Sequence, residues 1–393
     1  MVFYPLATET WDSAEMKALK RVIASGRFTM GEEVKKFEKQ FARFFGSRYA
    51  MMVNSGSSAN LLAIAGLVYH PKKLLKPGDE VIVPAVSWGT MYYPVSQLGL
   101  RLRFVDIDAQ TLNIDPALVE KAITPKTRAI FAVNLLGNPC DFRALKDICK
   151  RHKLLLIEDN CESMGALFGK KKTGTFGICG TFSTFFSHHI STMEGGMVLT
   201  DDEALYHVFL SLRAHGWVRE QPPHSHLAFK GDPFEKLFRF VLPGYNLRPL
   251  EMEGALGQEQ LKKLPKLVAY RRKNAKIFIS LMSKIKNIRM QKETKSSSWF
   301  GYAFVLEGPL VGRRAELIKR LTKAGIECRP IVAGNFLKNP VIKYLPHTKG
   351  SKIVAAEEID KNGFFLGNHH YNIDLQMKKA AKILADFSKT AKL

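Results

Sequence analysis

The sequence lacks any uninterrupted apolar stretch long enough to cross a bilayer, which takes about 20 residues. Its N-terminus, MVFYPLATETWDSAEMK, also lacks a basic segment that leads into an apolar run with a small-residue cleavage site. We therefore expect no membrane partner and a cytoplasmic location. Hydrophobic residues still make up 46% of the 393 residues, which suits a globular protein with two core-bearing lobes.

Cysteine is scarce, and its spacing argues against two kinds of site. The five cysteines are odd in number and show no CxxC or Cys/His ligand spacing. We therefore expect neither a disulfide framework nor a bound metal ion. Most of these cysteines are interpreted as ordinary buried thiols.

Acidic residues are outnumbered by basic ones, 36 against 59, which gives a net charge of +23. Such an excess favours anionic partners in general. Nucleic-acid-binding proteins typically cluster their basic residues in one patch or stripe, whereas here they are spread through many short segments. A solvated basic surface is therefore predicted, with no nucleic-acid partner.

Between about residues 45 and 250, short apolar runs alternate with helix-like stretches. Seven of these runs are candidate strands: YAMMVNS, DEVIVPA, RLRFVDID, TRAIFAVNLLG, LLLIEDN, CGTFSTFFS and GGMVLT. This alternation predicts an α/β fold with a mostly parallel sheet and helices on both faces. Ligand sites in such sheets form outside the carboxyl ends of the strands, so polar residues there are the candidates for function.

From about residue 250 the pattern changes to that of a second, smaller α/β lobe. It contains a long helix candidate near LPKLVAYRRKNAKIFISLMSKI, a strand at SWFGYAFVL and a helix at RRAELIKRLTKAG. The stretch KETKSSS at 292 to 298 has the low complexity of a surface loop.

Three polar clusters follow candidate strands. In NSGSSAN, Gly56 and Ser57 open a helix whose free N–H groups suit a phosphate. Asp159, at the end of LLLIED, suits a protonated pyridine nitrogen, and Trp88, in VSWGT, suits stacking on a flat cofactor. Each also fits an ordinary role, which is helix capping for the first two clusters and core packing for Trp88.

A fourth cluster, FSTFFSHHISTMEGG at 182 to 196, makes the set resemble a known family. In order and spacing the chain is similar to the sugar aminotransferase (DegT/DnrJ/EryC1/StrS) family, vitamin B6 enzymes that aminate nucleotide-linked keto sugars. The corresponding family stretch is FSFFPSKNLGAYGDGG, and GYNLRPLEMEGALGQEQL at 244 to 261 resembles the family's GYNYRMTEIQAAIGLVQL. The resemblance extends over nearly the whole chain.

The resemblance implies the PLP-dependent transferase fold of the aspartate aminotransferase type I. We expect a large domain at residues 1–250, with an N-terminal arm and a mostly parallel seven-stranded sheet. A smaller C-terminal α/β domain is expected at residues 251–393. The active sites of this fold are shared across a homodimer.

The matched positions imply cofactor-binding roles for Gly56, Ser57, Trp88, Asp159, Glu162, Ser183 and Asn246. Gly56, Ser57 and Ser183 would hold the phosphate of pyridoxal or pyridoxamine 5′-phosphate. Trp88 would stack on its ring, and Asp159 would face its nitrogen. Glu162 stands where most of the family has a glutamine near the phenolic oxygen. Asn246 would reach the phosphate bound by the neighbouring subunit.

His188 falls where the family has the lysine that binds the cofactor covalently. An imidazole cannot make that bond, but with an ordinary pKa near 6.5 it can move protons at neutral pH. This departure resembles a small branch of the family, the 3-dehydratases that act on GDP-linked 4-keto-6-deoxy-D-mannose in colitose biosynthesis. It implies that L-glutamate supplies the amine and that His188 is the base in the loss of the C3 hydroxyl, with release of ammonia.

Four further residues are expected at the substrate. RAHGWVRE at 213 to 220 matches the family's R-x-H-G turn, which places His215 and Arg219 near the nucleotide sugar, with Arg329 from the small lobe. Arginine suits pyrophosphate because it binds two oxygens at once. Ser187 borders the base. For His215, Arg219 and Arg329, a surface or intersubunit polar contact is the open alternative.

Three other functions remain as alternatives. A CDP-4-keto-6-deoxyglucose 3-dehydratase branch also carries a histidine, but it uses an iron-sulfur cluster, which needs about four cysteine ligands. No cysteine lies between Cys179 and Cys328, so no iron-sulfur cluster is expected and the GDP-sugar is preferred. The others are a sugar aminotransferase and a non-catalytic PLP-fold binding protein.

Overall fold

The computed structural model describes residues 2–392. The helices are α1 Ser13–Ser25, α2 Glu32–Phe45, α3 Gly56–Tyr69, α4 Gly89–Gln97, α5 Pro116–Ala122, α6 Phe142–His152, α7 Glu203–Arg213, α8 Pro233–Lys236, α9 Glu251–Met282, α10 Arg314–Lys323, α11 Ala355–Asn362 and α12 Asp374–Lys389. The strands are β1 Tyr49–Val53, β2 Glu80–Pro84, β3 Arg101–Val105, β4 Thr127–Val133, β5 Leu155–Asp159, β6 Leu167–Phe168, β7 Lys171–Lys172, β8 Cys179–Ser183, β9 Gly196–Thr200, β10 Ile288–Met290, β11 Gly301–Leu306, β12 His347–Lys349 and β13 Gly363–Gly367. None of the helices in this part of the chain has the length and apolarity needed to cross a membrane.

The large sheet has the strand order β1-β9-β8-β5-β4-β2-β3-β12. Its pairs are parallel from β8 to β12, and only β9 runs antiparallel to its two neighbours. All seven predicted strands are present, and the predicted α/β fold class is confirmed. The eighth strand, β12, escaped prediction because three residues of sequence HTK carry no apolar signal.

Burial on both faces explains why the central strands are so apolar. Every residue of β2, β8 and β9 is buried, as expected when helices cover a parallel sheet on both sides. The helix α3 is apolar on nearly all sides and lies against α7, where a Cβ on Gly66 would come within 2.2 Å of the Phe209 ring. This close packing fixes the N-terminus of α3 at the carboxyl edge of the sheet.

The smaller lobe packs α9, α10 and α12 on the antiparallel sheet β10-β11-β13 around a separate core. α9 begins at Glu251 and so is longer than the helix predicted near Leu264. Its first turn is anchored because the Glu251 carboxylate accepts hydrogen bonds from the N–H groups of Gly31 at 2.6 Å and Glu33 at 2.5 Å. The predicted domain boundary after residue 250 falls at the start of this helix.

Two contacts tie the C-terminal part of the chain to the large sheet. The strand β12 pairs in parallel with β3, with His347 opposite Leu102. The buried carboxylate of Asp106, just beyond β3, accepts hydrogen bonds at 2.6–2.9 Å from three N–H groups at the start of α11. An anionic group at a helix N-terminus is favourable because it meets free donors and the positive end of the helix dipole.

The segment 292 to 298 is only in part the surface loop predicted. Lys292, Glu293 and Lys295 are exposed, but Ser297 and Ser298 are buried. The backbone before them is held because Ser296 and Leu167 exchange hydrogen bonds at 3.1 and 2.8 Å. The segment therefore enters the core close to the histidines at 188 and 189.

Candidate active site

A cavity of about 880 Å³ opens at the carboxyl edge of the large sheet. Segments that follow β1, β2, β4, β5 and β8 line it, together with residues near the N-terminus and from the C-terminal part of the chain. Nine of the predicted site residues line it together: Gly56, Ser57, Trp88, Asp159, Glu162, Ser183, Ser187, His188 and Arg329. This is where α/β sheets bind their ligands.

The turn from β1 into α3 forms one wall of the cavity. Ser55 caps α3 by accepting a hydrogen bond from Ser58 N at 3.0 Å. The hydroxyl of Ser57 donates to Thr90 Oγ1 at 3.0 Å. A Cβ on Gly56 would lie 2.7 Å from the Ser183 Cβ, so only glycine lets these two segments approach this closely. The first N–H groups of a helix have no partner within it, so this wall is suited to an anion.

Asp159 ends β5 and is buried beneath the cavity. Its carboxylate accepts hydrogen bonds from Asn60 Nδ2 at 2.9 Å and from Cys161 N at 3.0 Å. Burial outweighs these bonds and raises the pKa of Asp159 above its ordinary value. No basic side chain of the described residues contributes to this pKa, so a cationic ligand group here would supply the missing opposite charge.

Glu162 lies next to Asp159 in the cavity wall. Its carboxylate accepts a hydrogen bond from Leu136 N at 3.0 Å. Leu136 has a φ of +52°, a strained value for a side chain of this kind, and that conformation aims its N–H at Glu162. Burial, with a smaller effect of the Asp159 charge, raises the pKa of Glu162 to about 7. Its carboxyl group can therefore donate a hydrogen bond or accept one near neutral pH.

Trp88 stands at the mouth of the cavity, immediately before α4. Its side chain is 61% exposed, which rules out the core-packing alternative. The exposed indole of Trp88 offers an apolar surface on which a flat ring bound in the cavity could stack.

The loop between β8 and β9 carries His188 into the cavity. Hydrogen bonds at 2.9 Å from Thr184 N to Gly195 O and at 2.8 Å from Thr192 N to Thr184 O close the base of this loop. Ser191 N donates to Gln260 Oε1 on α9 at 3.0 Å. These contacts hold the loop at both ends, so the imidazole of His188 is presented from a rigid support.

The surroundings of His188 keep its ring neutral. The imidazole is half-buried, with its centre 5.2 Å from that of the Phe300 ring, and its Nδ1 has no hydrogen-bond partner among the described residues. Burial, aided by the positive charge of Arg271, lowers the pKa of His188 to about 4. Arg271 in turn donates to the carbonyl oxygens of Phe300 at 3.0 Å and Asn368 at 2.7 Å. A neutral imidazole retains the lone pair that a base needs.

Three predicted residues lie outside this cavity within one chain. Asn246 and Arg219 line a second cleft of about 290 Å³. The guanidinium of Arg219 lies 4.1 Å from the centre of the Trp217 ring, and the His215 ring packs against the same tryptophan at 4.6 Å. Any role of these residues at the cofactor therefore needs a second copy of the chain.

Two residues of the site were missed by the sequence analysis. Asn60, which donates a hydrogen bond to Asp159, is a buried polar residue in α3, a helix that is apolar beyond its first turn. That contrast was a usable signal in the sequence. Arg271 gave none, because it lies in a segment rich in lysine and arginine, where a buried cation looks like any exposed one.

The residues present fit pyridoxal phosphate. The α3 turn and the Ser57 and Ser183 hydroxyls suit its phosphate, and Trp88 suits its ring. Asp159 is a buried carboxylate without a cationic partner among the described residues, which matches a pyridinium nitrogen. Glu162 can pair with a phenolic oxygen in either protonation state.

Comparisons with known proteins identify the family of the chain. The model of the DegT/DnrJ/EryC1/StrS aminotransferase family matches residues 9–385. A GDP-4-keto-6-deoxy-D-mannose 3-dehydratase of Yersinia pseudotuberculosis is 56% identical over 387 residues, which covers 98% of each chain. A crystal structure of GDP-4-keto-6-deoxymannose-3-dehydratase with a trapped PLP-glutamate geminal diamine is 52% identical, with a TM-score of 0.95 over 97% of this chain and 100% of that one. A structure of the H188N mutant of such an enzyme with bound GDP-perosamine matches with the same identity, TM-score and shares of the two chains. The chain thus belongs to the DegT/DnrJ/EryC1/StrS aminotransferase family.

Proposed function

We propose that this chain is a 3-dehydratase that converts GDP-4-keto-6-deoxy-D-mannose to GDP-4-keto-3,6-dideoxy-D-mannose. The reaction depends on pyridoxal phosphate, consumes the amine of L-glutamate and releases ammonia. The enzyme is therefore a lyase with a transamination half-reaction. Its relatives at 56% and 52% identity bear the same activity in their names, and one of them holds PLP with glutamate.

The observation that carries this proposal is the set of side chains around the cavity. Among the described residues that line it there is a histidine at 188 and no lysine. Without a lysine amine, the cavity has no group to hold the cofactor covalently or to displace an aminated product from it. A site that binds the cofactor by contacts alone and carries a base suits elimination better than amination.

When bound, the cofactor supplies an electron-withdrawing ring and an amine that condenses with the sugar's C4 ketone. We assign its phosphate to the α3 turn with Gly56, Ser57 and Ser183. Trp88 covers the ring and Asp159 keeps the pyridine nitrogen protonated. Glu162 faces the phenolic oxygen.

His188 moves the protons of the reaction. Its neutral imidazole takes a proton at C4′ of the cofactor and, once charged, can deliver it to the departing C3 oxygen of the sugar. The rigid loop keeps the ring in place for both transfers, which is what general acid–base catalysis requires. Ser187 borders the ring, and Arg329 approaches the sugar nucleotide from the small lobe.

The remaining residues are assigned to a homodimer with shared active sites. In this arrangement Asn246 reaches the cofactor phosphate of the other subunit, and His215 and Arg219 approach its substrate. The support is that Asn246 and Arg219 line a separate cleft, and that His215 packs against Trp217 of the same cleft. The cleft also contains Arg248, whose Nε donates to Asn246 Oδ1 at 2.9 Å. The cytoplasm remains the proposed location.

The test is the mass of the sugar product after separate incubations of the protein with GDP-4-keto-6-deoxymannose and with CDP-4-keto-6-deoxyglucose, each with pyridoxal phosphate and L-glutamate. We expect a product that has lost the C3 oxygen, together with free ammonia. A product that has gained an amino group would contradict the role of His188. An unchanged GDP-sugar beside a deoxygenated CDP-sugar would move the assignment to the CDP-dehydratase. If both sugars stay unchanged while glutamate leaves the spectrum of bound PLP unaltered, the chain is a binding protein.

A further inference from the structure

Four of the eleven histidines lie together at the start of α7, away from both clefts. The ring of His207 lies 5.4 Å from that of His224 and 6.0 Å from that of His226. His70 approaches the same place, with Nε2 3.5 Å from the carboxylate of Asp202, the residue before Glu203. Neither the dehydration nor the cofactor uses this cluster.

Three of its groups converge as metal ligands do. Glu203 and His207 are four residues apart on α7, so they lie on one face of the helix. A carboxylate oxygen of Glu203 and one ring nitrogen each of His207 and His224 all lie within 4.8 Å of one another. Bond lengths of about 2.0–2.1 Å put tetrahedral zinc ligands about 3.3–3.4 Å apart. Glu203 Oε1 and His224 Nε2, at 3.6 Å, are already close to that separation.

The loop that carries His224 is bound to α7 at His207, which is another of the three ligands. Gln221 Nε2 donates to the carbonyl oxygen of His207 at 2.8 Å. The buried Ser225 donates to Gln221 Oε1 at 2.6 Å. These contacts hold His224 over α7, where its exposed side chain lies 3.6 Å from the Glu203 carboxylate.

Two residues beside the three ligands, Tyr49 and His70, also favour a metal site over a simple surface contact. Tyr49 donates a hydrogen bond to Glu203 Oε1 at 2.8 Å, as groups behind metal ligands commonly do to orient a carboxylate. His70 is buried, and its Nε2 has no hydrogen-bond partner among the described residues. At 3.5 Å, the Asp202 carboxylate lies near His70 Nε2 but does not form a hydrogen bond with it.

We propose that Glu203, His207 and His224 bind one divalent first-row transition-metal ion, such as Zn²⁺, with water in the remaining position. Two imidazoles and one carboxylate suit such ions better than Mg²⁺ or Ca²⁺, which prefer oxygen ligands alone. The ion would fasten the loop around residue 224 to α7. Cysteine spacing predicts no metal site in this sequence, whereas these three ligands come from a helix and a loop that only the fold brings together.

The competing explanation is a protonated His224 paired with Glu203 in an exposed ion pair, with no ion bound. A matched control distinguishes the two. His152 lies 3.4 Å from Glu120 in an exposed pair of the same type, but it belongs to no group of three ligands among the described residues. His152→Ala therefore removes a histidine–glutamate pair without touching the proposed site.

The experiment uses the full-length protein loaded with pyridoxal phosphate, stripped of metals with a chelator and titrated with ZnCl₂ and CoCl₂ by calorimetry and visible absorption. We expect one ion per chain in the wild type and in His152→Ala. Affinity should fall by more than about tenfold in His224→Ala and Glu203→Gln, because even the loss of an outer partner of a metal ligand costs that much. Both changed side chains are exposed, and matching melting curves without metal would show that the variants fold. Equal affinity in all four proteins, or no binding in the wild type, would overturn the proposal.

Discussion

In the proposed site, a lysine at position 188 could hold the cofactor by a covalent bond, whereas the histidine present leaves only contacts to hold it. The surrounding groups are built for contacts, since Asp159, Trp88 and the α3 turn face the same cavity. The low pKa of His188, about 4, means that its ring is neutral at pH 7 in the free site. The proton transfer that we propose for His188 therefore does not depend on titration of the free site near pH 7.

We expect His188→Asn to lower the rate of C3 deoxygenation by about 10²–10⁴-fold, the usual contribution of a positioned acid or base. Asparagine preserves a polar side chain of similar reach but cannot accept and return a proton. Retention of pyridoxal phosphate on gel filtration should stay as in the wild type, because the other contacts remain. A variant that deoxygenates the GDP-sugar within tenfold of the wild-type rate would show that another group is the base.

Individual residues were predictable from sequence where a side chain had to be of one type. Gly56 is such a case, since no other residue fits against Ser183. The surroundings of His188 were not predictable, because Phe300 and Arg271 come from the small lobe and lie more than eighty positions away in the sequence. The strained backbone of Leu136 likewise has no signature in the sequence.

Among the structural elements, β5 carries two acidic residues that point to opposite faces of the sheet. Asp159 faces the cofactor cavity. Glu158 is fully buried, and its carboxylate accepts hydrogen bonds from backbone N–H groups of the turn after β7. The donors are Gly174 at 2.6 Å and Gly177 at 2.8 Å. Burial raises the pKa of Glu158 to about 7. The carboxyl group therefore keeps its proton in the folded chain at pH values where the unfolded chain releases it.

Stability should fall with rising pH because of Glu158. The contribution of Glu158 to the free energy of unfolding is fully present below its pKa in the unfolded chain, 4.5. This contribution is lost as pH rises through its pKa in the folded chain, about 7. Relative to Glu158→Gln, which cannot titrate, the wild type should lose about 3 kcal/mol of unfolding free energy over this range. Urea unfolding of both proteins at pH 5 and pH 8 measures the difference. A difference that does not change with pH would mean that the carboxylate is stabilised in the fold as well as in water.

The start of α3 allows a sharp test of the proposed phosphate site. Gly56→Ala places a Cβ 2.7 Å from the Ser183 Cβ, and neither atom can swing away because both are fixed to backbone. We expect a loss of about 1–3 kcal/mol in stability and a weaker affinity for pyridoxal phosphate, measured by fluorescence titration. Gly26→Ala is the control, because its φ of +67° makes alanine unfavourable while its surroundings are open. Unchanged cofactor affinity in Gly56→Ala would remove this turn from the site.

Elements were predictable where burial on both faces made their sequence apolar, as in the seven large-sheet strands. β12 and the first half of α9 were not. The strand β12 is too short and too polar to be recognised in the sequence. The helix α9 begins where Glu251 caps α2, a contact between residues that are 220 positions apart in the chain. Tertiary contacts, and not local preference, define both.

At the scale of the whole molecule, the separation of Asn246 from the cavity predicts complementation between two inactive proteins. His188→Asn and Asn246→Ala would each be inactive as homodimers. A dimer of one chain of each kind would contain one site with both native residues. Co-expression in equal amounts should therefore restore about a quarter of wild-type activity. Activity no higher than the mean of the two separate variants would place Asn246 outside the partner's site.

The pairing of β12 with β3 also bears on how the chain holds itself together. A chain cut at the predicted boundary after residue 250 would keep β3 without its outer neighbour, and Asp106 without the three N–H donors of α11. A strand left with unpaired backbone groups is a template for pairing with other molecules. The first 250 residues alone should therefore aggregate when expressed. The two lobes are distinct in architecture, but β12 of the C-terminal part covers the outer edge of the larger sheet, and its removal should expose that edge to other molecules.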